Sequence, residues 1–172
     1  TTALLALMHH LNAQGRYRAL YCNIEAAQAA RGNVHEGMAA IVNALASAAS
    51  VYWRDEAAAQ VARARLHEAG ATDWVRATLE AWSRHSPRPI VLFLDEVDAL
   101  VGDTLISLLR QIRAGYAQRP EAFPQTVVLC GVRDVRDYRI HSGGEIITGG
   151  SAFNIKAVSL RLSNFSRAEC EQ

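Results

Sequence analysis

The stretch PIVLFLDEVDAL, residues 89–100, decides how the rest of the chain is read. Five apolar residues run from Ile90 to Leu94 and stop at two adjacent carboxylates, Asp95 and Glu96. Pro87 and Pro89 break the chain just before them. So short a run, apolar at every position, predicts a strand buried on both faces, as in parallel sheets. In an open α/β sheet, ligands bind outside the carboxyl ends of the strands. Asp95 and Glu96 stand at such an end. Adjacent carboxylates repel each other unless a cation or water is close. Two readings follow. One is a solvated strand end with two surface acids. The other is a magnesium site, in which Asp95 holds the ion through water and Glu96 orients or deprotonates an attacking water.

Strands and helices alternate outward from this stretch. Thr1 to Gln14 has a helical apolar face (Leu4, Leu5, Leu7, Met8, Leu11), with Gly15 as its stop. Arg18 to Ile24 reads as a strand. Helices are predicted over Val34–Ala49, over Glu56–Ala69 with Gly70 closing it, and over Trp74–His85 with Asp73 as cap. After the acidic pair, Asp103 or Thr104 is expected to cap a helix over Leu105–Gln118. Thr126 to Gly131 is apolar and predicts a second strand buried on both faces. Arg133 to Ser151 is polar, then glycine-rich, and is expected to be a mobile loop. Asn154 to Leu162 alternates, with Val158, Leu160 and Leu162 on one face. Ser166 and Glu169 form a capping box for a last helix. This order predicts an α/β fold with a mostly parallel sheet.

Composition narrows the function classes. The 172 residues suit one domain, with half of them apolar and 20% charged. The net charge of +1 gives no bulk electrostatic case for nucleic acid or for a membrane surface. No apolar run approaches the ~20 residues that span a bilayer. TTALLALMHHL lacks the basic leader and cleavage site of a signal peptide, so a cytoplasmic location is expected. Cys22, Cys130 and Cys170 are far apart and odd in number, which reads as buried free thiols. The six histidines show no metal spacing.

IVLFLDEVD, residues 90–98, resembles the Walker B motif of additional-strand P-loop ATPases. Other stretches stand in that family's order. TVVLCGVRD resembles the sensor strand, with Arg133 just past its end. LYCNIE resembles the second strand, and SAFNIKAVSLRLSNFSRAE the last core strand with the entry to the lid region. Taken together, the chain resembles the AAA-like, STAND-related ATP-binding domains over almost its whole length. The resemblance implies a three-layer sandwich around a P-loop NTPase sheet, with residues 1–165 as the ATPase core and 166–172 as the start of the lid helix. It also implies an ATP-binding, ATP-hydrolysing switch domain that uses magnesium, with a protein partner or self-association. Residue by residue, Asp95 would organise the metal and Glu96 the attacking water. Arg133 would read the terminal phosphate, and Asn23 would hold Glu96 in check. Asp98 suggests either a helicase-type DExD box or a helix cap.

A Walker A motif needs GxxxxGK[ST], whose backbone N–H groups and lysine cradle the phosphates. The chain has one lysine, Lys156, in an alternating stretch with no glycine before it. Gly144 to Ser151 imitates the spacing without a lysine, a preceding buried strand or a following helix. Thr1-Thr2 opens an apolar helix leading to the second strand, as the end of Gly-Lys-Thr-Thr does in the family. By resemblance Thr1 would ligate magnesium and Thr1 and Thr2 would meet the nucleotide, although Thr1 equally suits an N-cap. The phosphate loop and the central strand of the expected five-one-four-three-two sheet would then precede Thr1. The 126–131 and 156–162 strands would flank a slot ~9–10 Å wide, and the apolar edges would favour association. From another class, a scaffold domain that keeps the fold without the chemistry would also lack the lysine.

Overall fold

The computed structural model describes residues 1–68, 70–132, 139–142 and 145–148, together with 158 and 160. It is a mixed α/β structure built on a small parallel sheet. The elements run α1 (Thr2–Gln14), β1 (Arg18–Asn23), α2 (Val34–Ala48), α3 (Glu56–Arg65), α4 (Trp74–His85), β2 (Ile90–Asp95), α5 (Gly102–Gly115) and β3 (Thr126–Leu129). A short hairpin, β4 (Arg139–Ser142) and β5 (Glu145–Thr148), follows. The three-stranded sheet has the order β1-β2-β3, parallel throughout. Its register pairs Asn23 with Asp95 and Leu94 with Leu129, so the strand ends converge on the acidic pair.

The alternation of side chains sorts β1 and β2 into two faces. Leu20, Cys22, Ile24, Ile90, Leu92 and Leu94 join the larger core, with Met38, Ile41 and Leu45 of α2, Trp74 and Leu79 of α4, and Leu105, Leu108 and Ile112 of α5. Ala19, Tyr21, Val91 and Phe93 face the other way and pack with Met8, Leu4, Leu5 and Leu11 of α1. Helices therefore cover both sides of the sheet, and β2, between its neighbours, is buried at all six positions. β3 differs. Its apolar sequence predicted burial on both faces, yet Val127, Val128 and Leu129 are only half-buried and Thr126 is exposed. Among the described residues β3 has β2 on one side and no strand on the other, and an edge strand keeps part of its surface in water.

Several element ends differ from the sequence expectation for local reasons. Helix α3 stops at Arg65, short of Gly70. Helix α5 begins at Gly102, so Asp103 and Thr104 fall inside its first turn and neither caps it. Thr104 is instead buried against α2, where a Cβ on Gly37 would lie 2.4 Å from Thr104 Cγ2. Asp73 stands at the N-cap of α4 as expected, and its carbonyl accepts the Ala77 N–H at 2.9 Å, but its side chain makes no capping hydrogen bond. It forms an ion pair with Arg76, and the first amides of α4 are satisfied from α5: Val75 and Arg76 N–H donate to the buried Gln111 Oε1 at 2.9 and 3.2 Å. A single π-helical turn, Ala49–Trp53, follows α2. The stretch expected to be a loop contains the antiparallel β4–β5 pair, with Ile140 opposite Ile147. β-branched residues on either side of two glycines favour such a hairpin. Of the expected strand over 154–162 only Val158 and Leu160 are described, both exposed and neither in a strand; Lys156, Cys170 and the helix opened by Ser166 lie outside the described residues. No helix among the described residues is long and apolar enough to cross a membrane.

Candidate functional site

The carboxyl end of β2 gathers donors from three separate parts of the chain. Asp95 is 6% exposed. Its Oδ2 accepts the Thr1 hydroxyl at 2.9 Å and the Tyr21 hydroxyl at 2.9 Å. Its Oδ1 accepts the Glu96 N–H at 3.2 Å. The Thr1 main-chain nitrogen lies 3.8 Å from Oδ2. These contacts span 94 residues in the case of Thr1 and 74 in the case of Tyr21. They arise because α1 packs along the same sheet face that Tyr21 occupies. A buried carboxylate is costly unless hydrogen bonds or a cation satisfy it, and here neutral hydroxyls and one amide do so.

Glu96 leaves the strand with φ 62° and ψ 38°, in the left-handed region that a residue with a side chain seldom adopts. That turn sends the chain back under β3. Val97 N–H donates to Cys130 O at 2.9 Å, and Cys130 N–H donates to Leu94 O at 2.8 Å. Asp98 lies in the following 3₁₀ turn and does not cap a helix: its Oδ2 accepts the Val132 N–H at 3.1 Å. Its Oδ1 is buried without a hydrogen-bond partner. It lies against Gly131, where an added Cβ would be 2.6 Å away. The absence of a side chain at 131 lets the two turns meet.

A cleft of about 220 Å³ opens over this end, lined by Thr1, Leu4, Asp95, Glu96, Cys130 and Val132 among others. Neither lysine nor arginine is among the described residues that line it. Burial, reinforced by the Asp95 hydrogen bond, pushes the Tyr21 phenol up to about 12, so it remains a donor at neutral pH. Cys22 is buried as expected, but Cys130 is only half-buried and faces the cleft. Burial raises the Cys130 thiol, and the Asp95 charge raises it further. Among the described residues no group of three or more His, Cys, Asp or Glu side chains forms a metal cage. Magnesium does not require one, since it keeps several waters and takes one or two carboxylates with other hard oxygens. Asp95 with the Thr1 hydroxyl is such a donor set.

The structure thus brings Thr1, Asp95 and Glu96 together. Thr2 opens α1 beside them and is exposed. Asn23 lies opposite Asp95 in the register, but its amide oxygen accepts the Glu25 N–H at 2.8 Å and so starts the 3₁₀ turn Glu25–Ala30. Arg133 lies outside the described residues, directly after Val132. Sequence reasoning missed Tyr21. The signal was parity: Tyr21 stands two residues before Asn23, on the face and near the strand end where Asp95 emerges.

A second recess, about 550 Å³, opens near the opposite end of β1 between Met8, Asn12, Trp53 and Pro87. It is larger, and its one carboxylate, Asp55, already has a cationic partner, while Arg88 donates to Gly15 O at 3.3 Å. Arg18 bonds Asp55 at 2.7 Å and stacks 4.0 Å from the centre of the Trp53 ring. Asp55 also accepts the Ala58 N–H that begins α3. The smaller cleft, whose two carboxylates face no cationic side chain among the described residues, is the better candidate for ligand chemistry. No protein-family model, curated protein or solved structure matches this chain.

Proposed function

We propose that this chain carries the metal-binding and water-activating part of an ATP-binding, ATP-hydrolysing switch domain of the additional-strand P-loop class, AAA-like and STAND-related. The observation behind this proposal is the hydrogen bond from Thr1 Oγ1 to Asp95 Oδ2. A hydroxyl at the start of a helix, donating to a carboxylate at the end of a buried strand, can keep that bond while its lone pair faces a cation. Magnesium, when bound with ATP, would neutralise and align the phosphate oxygens. Asp95 and Thr1 would hold it. Glu96, on the turn just beyond, would orient the attacking water and accept its proton. Arg133 would meet the terminal phosphate. Thr1 and Thr2 would present the amides of the α1 N-terminus to phosphate oxygens. Asn23, whose amide oxygen is engaged by Glu25, would restrain Glu96 through its amide nitrogen.

Two features of the fold support the same reading. The order β1-β2-β3 matches the second, third and fourth strands of the expected sheet. The half-buried apolar edge of β3 leaves room for a further strand beside it. That edge also suits a protein partner or self-association.

Glu96→Gln in the full-length protein tests the assignment. ATP binding with magnesium should stay within about threefold of wild type, while turnover should fall about 10²-fold or more. Unchanged turnover would remove Glu96 from the role. Failure of the wild type to bind ATP would overturn the nucleotide reading and leave a scaffold domain of the same fold.

A further inference from the structure

The hydroxyl of Tyr21 is a second donor to the oxygen of Asp95 that Thr1 also meets, and nothing in the proposed chemistry accounts for it. Both bonds are 2.9 Å long, and the Tyr21 bond is buried. The two donors differ in what else they must do. The Thr1 hydroxyl is itself a proposed metal ligand, so its direction must answer to the ion. Tyr21 lies within the sheet, 6% exposed, among Met8, Val91 and Phe93. Its ring meets the Tyr52 ring edge-on, with centroids 6.1 Å apart and planes at 89°. Tyr52 is delivered there by the π-helical turn Ala49–Trp53. These packed neighbours and its own strand therefore fix the phenol before any ligand arrives.

A carboxylate at a strand end can rotate about its last bond, and each rotation moves the oxygens that a metal or its waters would meet. Groups that hydrogen-bond a ligating carboxylate set its orientation, and their loss typically weakens metal binding 10–100-fold. We propose that Tyr21 is a positioning residue that locks the Asp95 carboxylate for magnesium, independently of Thr1. The proposal rests on the magnesium–ATP assignment above. Tyr21 touches neither the nucleotide nor the reacting water; it acts through Asp95 alone.

The test is Tyr21→Phe in the full-length protein, which keeps the ring and its packing and removes only the hydroxyl. Binding of fluorescent ATP is titrated with magnesium at fixed nucleotide, and separately measured in excess chelator. The half-saturating magnesium concentration should rise about tenfold, with binding in chelator unchanged. A purely structural role would shift both, or neither. Restoring a donor elsewhere is not required, because Tyr52→Leu gives an independent arm: it loosens the ring but spares the hydroxyl, and should raise the magnesium requirement by less than Tyr21→Phe. A half-saturation in Tyr21→Phe within twofold of wild type overturns the positioning role. If wild-type binding itself shows no magnesium dependence, the underlying assignment fails, and that result is visible before any variant is compared.

Discussion

The two ends of the sheet solve the same electrostatic problem in opposite ways. Near the start of β1, Arg18 and Asp55 neutralise each other, and the guanidinium lies on the Trp53 ring. Near the end of β2, Asp95 and Glu96 are adjacent acids, and hydroxyls and an amide are what Asp95 has. At the first end the carboxylate already has its cation. The second is arranged so that a cation would improve it, since nearby positive charge favours ionised carboxylates more than neutral donors do. A large recess whose carboxylate already has a guanidinium partner is therefore weaker evidence for a cation than a small cleft whose carboxylates have none.

The sharpest way to break this contrast is Asp95→Asn. On the proposed magnesium–ATP assignment, it should raise the magnesium needed for ATP binding on the order of 100-fold. It should lower metal-free stability by only about 1–2 kcal/mol, because the amide oxygen can still accept both hydroxyls and only the bond from the Glu96 N–H is lost. A large loss of metal-free stability, read in urea unfolding, would mean that the acidic end is as self-sufficient as the basic one.

At the other end, Arg18→Ala should cost about 2 kcal/mol, from a partly buried ion pair and a guanidinium–ring contact together. It should also change the acid limb of the stability profile. The hydrogen bond from Arg18, followed by the Ala58 N–H, holds the Asp55 carboxyl below its usual value. That stabilisation is present above the ordinary carboxylate pKa of about 4 and is lost as pH falls through the lowered folded value. Arg18→Ala should flatten the profile below about pH 4. An equally steep profile would show that Asp55 owes its shift to the helix start alone.

The smallest effect is expected at Gly131→Ala. The new methyl would press on Asp98 Oδ1 and should cost about 1 kcal/mol, because a side chain can shift where backbone cannot. A cost as large as that of Arg18→Ala would mean that the turn under β3 is as rigid as the paired end.

Much of this layout was legible in the residues, and the failures are specific. β1, β2 and α4 follow from period and from flanking glycine, proline and arginine, which act locally. The acidic pair was legible for the same reason. Tyr21 was not, because its partner lies 74 residues away, and only the pairing of β1 with β2 makes them neighbours. Asp73 was placed correctly at the start of α4, but its side-chain capping bond was not made because Gln111, on a different helix, takes the first amides. Burial of β3 failed because apolar sequence reports what a strand can bury, whereas position in the sheet decides what it does bury. The π-helical turn has no simple periodic signature, and the hairpin within 139–148 was hidden by its glycines. Arg133 remains a reading of sequence alone.

The backbone at Glu96 has a consequence for how this chain could change over time. A side-chain-bearing residue at φ 62° costs about 1–2 kcal/mol relative to the right-handed region. Glycine, and to a lesser degree asparagine, would relieve that cost. Under selection for folding alone, position 96 would therefore drift toward glycine. A glutamate persisting there among descendants would have to be retained for its carboxylate.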